Sequence, residues 1–222
     1  MNFLSAKTAL IIGITGQDGA YLALFLLEKG YKVIGTSRDL YRADLYRLDY
    51  LRIRSRVSLC SLDVLNQTRV RDCLERYQPD EIYNLAAQSS VGLSFQKPVE
   101  TLSYNTSSVL NLLEAIRQVD LKIRFYQASS SEMFGNISPK SLPVREGQVF
   151  NPASPYAVSK LFAHWITINY REAYDLFAVN GILFNHESPQ RGETFVTRKI
   201  TMALTKIYLG LQNILLIGNL DS

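Results

Sequence analysis

With 222 residues, 47% of them hydrophobic, the chain can bury one sizeable core. A formal net charge of +4, from 24 basic and 20 acidic residues, is too small and too dispersed for a nucleic-acid-binding surface. The densest basic stretch, residues 41–56, is interrupted by Asp44 and Asp49 and reads as a solvated amphipathic segment.

Residues 8–13 (TALIIG) are expected to form a buried strand. The apolar stretch 9–14, broken by Gly13, is too short for a signal sequence or a membrane span. No membrane association is therefore expected, and the cytoplasm is the default location. Residues 13–19 (GITGQDG) place Gly13, Gly16 and Gly19 at intervals of three, between this strand and a helix at 21–30. Such glycines permit a tight turn and a close backbone approach to a pyrophosphate resting on the helix N-terminus. An ordinary tight turn is the alternative, but strand–turn–helix is the context of dinucleotide binding, with Ile14, Thr15, Gln17 and Asp18 sharing the loop. The next strand, 31–37, runs into Arg38, where an acid would grip the 2′-hydroxyl of NAD. An arginine there suits the 2′-phosphate of NADP, although Asp39 lies beside it.

A strand at 57–62 leads to Asp63 and Val64. Asp63 fits an adenine contact or a turn cap equally well. Cys60 and Cys73 form no CxxC pair, which speaks against a disulfide framework or zinc site. Both read as small buried residues in a reducing compartment, and no metal is expected. A helix at 66–79 is capped by Asn66 and stopped near Pro79. The strand at 81–87 ends in small residues, Leu85 to Ser90 (Leu85, Ala86, Ala87, Gln88, Ser89, Ser90), where backbone can pass close to a cofactor. A long helix at 98–119 opens with Pro98, a strand follows at 123–129, and a polar, proline-containing loop occupies 135–153. A helix at 154–174, a strand at 176–183, a helix at 195–210 and a last strand at 213–218 complete the chain. Alternating strands and helices, with strands apolar throughout, specify α/β: a doubly wound parallel sheet of Rossmann-like type.

Tyr156 and Lys160 lie four apart, hence on one helix face, and no other of the thirteen tyrosines has a lysine at that spacing. A tyrosine near pKa ~10 is a poor base at neutral pH. A neighbouring ammonium favours the phenolate, so Tyr156 could accept a hydroxyl proton while hydride leaves for a nicotinamide. A core tyrosine beside a surface lysine is the alternative, outweighed by the glycine loop. Upstream, residues 127–135 (QASSSEMFG) place Glu132 after a strand, beside Met133 and Phe134. These neighbours are expected to desolvate it and raise its pKa toward a useful acid–base range; a solvated turn acid is the alternative.

GITGQDG, NLAAQS, YQASSSEMFG, SPYAVSK, the stretch from REAYDLF to NHESPQRG, and FVTRKI together resemble the extended short-chain dehydrogenase/reductases. Within them the chain is similar to the GDP-mannose 4,6-dehydratase family. The resemblance implies an NADP-dependent hydro-lyase acting on GDP-mannose. It assigns catalysis to Ser130, Glu132, Tyr156 and Lys160, with Ser130 where the family usually has threonine. It adds His186 and Arg191 to the cofactor contacts, and Asn185, Ser90 and Lys199 to the substrate side. Taken alone, His186 is as readily a structural histidine, and Lys199 a solvated one. A homodimer or homotetramer is implied, paired through the helices at 98–119 and 156–174.

Three departures stand out. Asp39 replaces an expected second arginine, Glu100 an expected cofactor-contacting tyrosine, and the family continues beyond the final LIGNLDS. Residues 1–222 are accordingly expected to be the NADP-binding domain plus the start of a substrate-binding part at about 186–210, with the remainder of that part absent. A reductase or epimerase of nucleotide sugars, needing no acid at 132, and a non-catalytic NADP-binding module are the competing functions.

Overall fold

The computed structural model describes residues 6–218. Strand β1 (Thr8–Ile12) shows why the sheet is buried on both faces. Its alternate side chains, Leu10 and Ile12 against Ala9 and Ile11, enter two different hydrophobic clusters. Parallel neighbours extend it: β2 (Lys32–Ser37) and β3 (Ser58–Ser61) on one side, β4 (Glu81–Asn84), β5 (Arg124–Ser130) and β6 (Ala178–Leu183) on the other. The order β3-β2-β1-β4-β5-β6 reverses between β1 and β4, so the carboxyl ends of these two strands frame a switch-point crevice. The doubly wound parallel sheet expected from the sequence is present.

Helix α1 (Gln17–Glu28) covers one face together with the short α2 (Tyr46–Tyr50). The other face is covered by α3 (Gln67–Tyr77), α5 (Pro98–Val119) and α6 (Pro155–Tyr174), with α5 packed against both of its companions. Helix ends follow local chemistry. Asn66 Oδ1 accepts the Arg69 N–H at 3.0 Å, and Gln78 adopts a left-handed φ of 43° just before Pro79 stops the chain. Ser154 Oγ accepts the Ala157 N–H at 3.0 Å, and prolines open both α5 and α6.

The sequence reading is corrected at three places. Residues 46–50, read as part of a solvated amphipathic segment, form a helix that buries Leu48 in the core, and a further short helix, α4 (Val91–Gln96), follows β4. The expected strand at 213–218 is not formed: its backbone joins no ladder, and Ile214 and Leu216 are exposed. A strand exists through its partner, and an apolar run supplies no partner by itself. Helix α7 (Val196–Tyr208) is thus the last regular element among the described residues.

The chain divides into one unit ending at Phe184 and a second beginning at Asn185. Among the described residues no helix is long and apolar enough to cross a membrane.

Candidate active site

The glycine loop is shaped by exclusion. Gly13 has φ +89°, and a Cβ there would lie 3.0 Å from the Ala86 nitrogen on the neighbouring strand end. A Cβ on Gly19 would lie 2.3 Å from the Gly13 carbonyl oxygen. Side chains at either position would close the gap between β1, α1 and the end of β4. Helix α1 begins at Gly16 with no side-chain cap, so its first N–H groups and its dipole face the loop mouth. Arg47, from α2, donates from Nη1 to the Thr15 carbonyl at 3.1 Å. Ile14 turns its side chain into the core against Gly35, so only its backbone belongs to the loop.

At the ends of β2 and β3 the exposed Arg38 guanidinium lies 5.2 Å from the ring centre of Tyr104 on α5. Burial raises the Tyr104 pKa, Arg38 opposes that, and Asp63 adds to it. Arg38, Asp63 and Tyr104 therefore form one cluster. Asp63 also caps a turn, accepting the Leu65 N–H at 3.1 Å, as its turn-cap reading expects. Val64 is a core residue whose carbonyl accepts from Asn111 at 2.9 Å. Asp39 accepts the Tyr41 N–H and pairs with Arg42 at 3.7 Å, so its charge is answered locally.

After β4, Leu85 packs against the α1-side core and Ala86 against the opposite one. Gln88 is held by Asn105 of α5: its N–H donates to Asn105 Oδ1 at 2.9 Å, and its carbonyl accepts from Nδ2 at 3.1 Å. Its side-chain amide bonds the Ser90 backbone, N–H and carbonyl alike, and Thr101. Ser90 Oγ caps α4. Ala87 and Ser89 complete this connection, with Ser89 exposed.

The reactive cluster forms where β5 ends. Ser130 Oγ accepts the Glu132 N–H at 3.2 Å, starting a 3-10 turn over Ser131–Phe134. Such a turn, with three residues per revolution, sends Met133 and Phe134 inward and leaves Glu132 outside. The expected desolvation of Glu132 by its neighbours is thus corrected: they enter the core, and Glu132 is exposed. The turn is pinned from the following loop by the Asn151 N–H, which donates to the Met133 carbonyl at 2.9 Å.

Tyr156, buried at the start of α6, shares a hydrogen bond with Ser130 and feels the charge of Glu132. Burial is the main influence on its pKa and pushes it up, Ser130 pulls it down, and Glu132 pushes it up again. Lys160 Nζ lies 5.8 Å from the Tyr156 ring centre and donates to the Ala128 carbonyl at 2.9 Å. Burial lowers this ammonium's pKa to about 8. The lysine was expected to depress the tyrosine; here desolvation of the phenol prevails. Asn105 Nδ2 donates to Ser159 Oγ at 2.9 Å, which in turn donates to the Tyr156 carbonyl at 2.7 Å. One buried amide thus ties the post-β4 connection to the helix that carries tyrosine and lysine.

In the second unit, Asn185 and His186 are exposed. Arg191 pairs with Glu187 at 3.3 Å and stacks over Phe195 at 3.6 Å. Lys199, on α7, lines a cavity of about 400 Å³ with Glu193, Met202, Lys206 and Ile214.

Residues 10–222 match the family model described as GDP-mannose 4,6 dehydratase. The chain belongs to the GDP-mannose 4,6-dehydratase family. It is 50% identical to the GDP-mannose 4,6-dehydratase of Yersinia enterocolitica over 97% of its own length, and 51% identical to that of Vibrio cholerae over 99%. It spans only 59% and 60% of those relatives. Among solved structures, RMD from Pseudomonas aeruginosa complexed with NADPH is 25% identical, with a TM-score of 0.79. That likeness covers 97% of this chain and 65% of the other.

For a member of the GDP-mannose 4,6-dehydratase family, three residues beside the candidate site carry no sequence signal. Tyr104 and Asn105 sit inside a helical pattern with no motif around them. Arg47 lies in the stretch read as solvated. Each becomes visible only when α2 and α5 are placed against the strand ends.

Proposed function

We propose that this chain carries the NADP-binding and catalytic part of a GDP-mannose 4,6-dehydratase, converting GDP-mannose to GDP-4-dehydro-6-deoxy-mannose. The observation that carries this reading is the convergence of Ser130, Glu132 and Tyr156 at the end of β5, with Lys160 buried behind them.

The glycine cradle at Gly13 and Gly19, the uncapped start of α1 and the exposed Arg38 fit a phosphorylated dinucleotide. The pairing of Asp39 with Arg42 leaves Arg38 to meet a 2′-phosphate, which favours NADP over NAD. The loop residues 13–19 would hold the pyrophosphate, and Arg38, Tyr104 and Asp63 the adenosine end. Residues 85–89 would pass under the nicotinamide half, with Tyr156 and Lys160 completing the contacts. When bound, this cofactor accepts a hydride from the sugar and later returns it.

The chain's own groups handle the protons. Tyr156 takes the C4 hydroxyl proton, with Ser130 donating a hydrogen bond that favours the phenolate. The C4 ketone acidifies the C5 hydrogen, and Glu132, free of the core, removes it as the C6 hydroxyl leaves as water. Hydride returned to C6 and a proton returned to C5 complete a net loss of water. Lys199 and Lys206, beside an apolar cavity, suit the diphosphate of the nucleotide sugar. Asn185 and Ser90 are assigned to the substrate side. The second unit is read as the start of the substrate-binding part. A cytoplasmic homo-oligomer is the expected setting: Val158, Phe162 and Trp165 form an exposed apolar stripe on α6, suited to a second copy.

The test is incubation with GDP-mannose and substoichiometric NADP⁺. A 4-keto sugar should accumulate without lasting NADPH absorbance. Glu132→Gln should lower product formation by at least about 100-fold, as expected for removal of a positioned general base, while C4 oxidation persists. Undiminished turnover in that variant would favour a simple reductase or epimerase instead.

A further inference from the structure

The basic stretch after β2 is not merely a solvated face. Arg47 reaches from α2 to the glycine loop and donates to the Thr15 carbonyl at 3.1 Å. The same peptide plane ends in the Gly16 N–H, which donates to the Gly13 carbonyl at 3.1 Å. The peptide between Thr15 and Gly16 is therefore clamped at both ends. It abuts the start of α1: the Gly16 carbonyl, in the next peptide, accepts the helix's first hydrogen bond, from Ala20 at 3.0 Å. The direction of the first-turn N–H groups follows from that start.

We propose that Arg47 is a positioning residue for dinucleotide binding. It fixes the Thr15–Gly16 peptide so that the start of α1 is preset for a pyrophosphate, and it places a cation beside the loop.

The physical reasons are two. A carbonyl left unpaired at the loop would oppose an anion, and the guanidinium engages this one. A hydrogen bond from a charged donor is stronger than one from water or a neutral group, so the loop loses less freedom when the ligand arrives. The guanidinium itself is braced, lying 4.8 Å from the ring centre of Tyr46. Tyr46 and Arg47 belong to the helical turn anchored by Leu48, which is fully buried in the α1-side core. The loop's shape is thus set partly by a segment outside the glycine motif.

This inference rests on reading residues 13–19 as the dinucleotide loop, and the experiment separates the two. Arg47→Met and Arg47→Lys are compared with the unaltered chain in calorimetric titrations with NADPH, NADH and adenosine 2′,5′-bisphosphate, which lacks the pyrophosphate. Amide exchange of the ligand-free chain is followed at Gly16 and Ala20, and thermal stability is recorded. Arg47→Met should weaken NADPH and NADH by the same factor, about tenfold or more, the loss expected for one charge-assisted hydrogen bond. Binding of the bisphosphate should not change. Gly16 and Ala20 should exchange faster before any ligand is added, and lysine should restore part of both effects. Unchanged dinucleotide affinity overturns the inference. Equal weakening of all three ligands with a general fall in melting temperature also overturns it, since that is a folding defect. If the unaltered chain binds the bisphosphate but neither dinucleotide, or none of the three, the reading of the loop itself fails, and the inference with it.

Discussion

Replacing Lys160 by methionine keeps the apolar stem and removes the ammonium. Burial lowers the pKa of this lysine from 10.5 to about 8. That gap corresponds to about 3 kcal/mol of cost for holding the charged form in the folded state at neutral pH. The bond to the Ala128 carbonyl is already part of that balance, so parent and variant are compared by slope rather than by absolute stability. The pH dependence separates them. Below about pH 8 both folded and unfolded chains hold the proton, and the parent bears the full cost. Between about pH 8 and 10.5 the unfolded chain binds more proton than the folded one, so the parent gains stability as pH rises. By pH 9.5 about 2 kcal/mol should have been recovered, and none in Lys160→Met. Cys60, whose thiol is lowered to about 7 chiefly by its bond to Cys73, adds an upward slope of its own. It does so in both proteins and cancels in the difference. The tyrosines with raised pKa values act above this window. Denaturant unfolding of both proteins at intervals from pH 7 to 9.5 measures the difference. Parallel stability curves would show that Lys160 is not held against its charge, and the burial argument would fail.

Other outcomes follow from the cofactor end. Arg38→Ala should weaken NADPH by about tenfold or more while leaving NADH unchanged, measured by fluorescence titration. Equal effects on both would remove the 2′-phosphate role. Gly19→Ala should destabilise the chain by about 1–3 kcal/mol, because its new methyl would overlap the Gly13 carbonyl, and should abolish dinucleotide binding. Denaturation and calorimetry report the two losses separately, and retained affinity would mean the loop tolerates a shift of backbone.

Much of the framework was legible because its signals are local. Asn66 and Pro79 bound α3 by capping and by ring geometry, and continuous apolar runs marked the parallel strands. The spacing of Tyr156 and Lys160 follows from helical pitch alone. What escaped depends on partners far along the chain. Arg47 resembled any solvated arginine until α2 met the glycine loop, and Asn105 lay in a long helix with no motif around it. The apolar run at 213–218 had the composition of a strand but no edge to join. Glu132 was misjudged for a different reason. Adjacency in sequence suggested that Met133 and Phe134 would bury it, whereas a 3-10 turn places successive residues on different sides. The direction of the Tyr156 shift likewise required knowing that its phenol is more strongly desolvated than it is aided by its neighbours.

The hydroxyl of Ser130 has two neighbours and one proton. Its oxygen receives the Glu132 N–H, and its own hydrogen favours the Tyr156 phenolate, whose pKa this bond pulls down. What position 130 must supply is therefore an O–H bond of one direction, with bulk secondary. Threonine carries the same bond, so the exchange of threonine for serine at this strand end alters the size of the side chain without reversing the flow of hydrogen bonds. Alanine would fail twice, loosening the turn that presents the acid and removing the donor that steadies the phenolate. Valine, though nearly the shape of threonine, would fail in the same two ways. The tolerance of this site to substitution is thus dictated by polarity of bonding, and variants that preserve volume alone should be as impaired as those that do not.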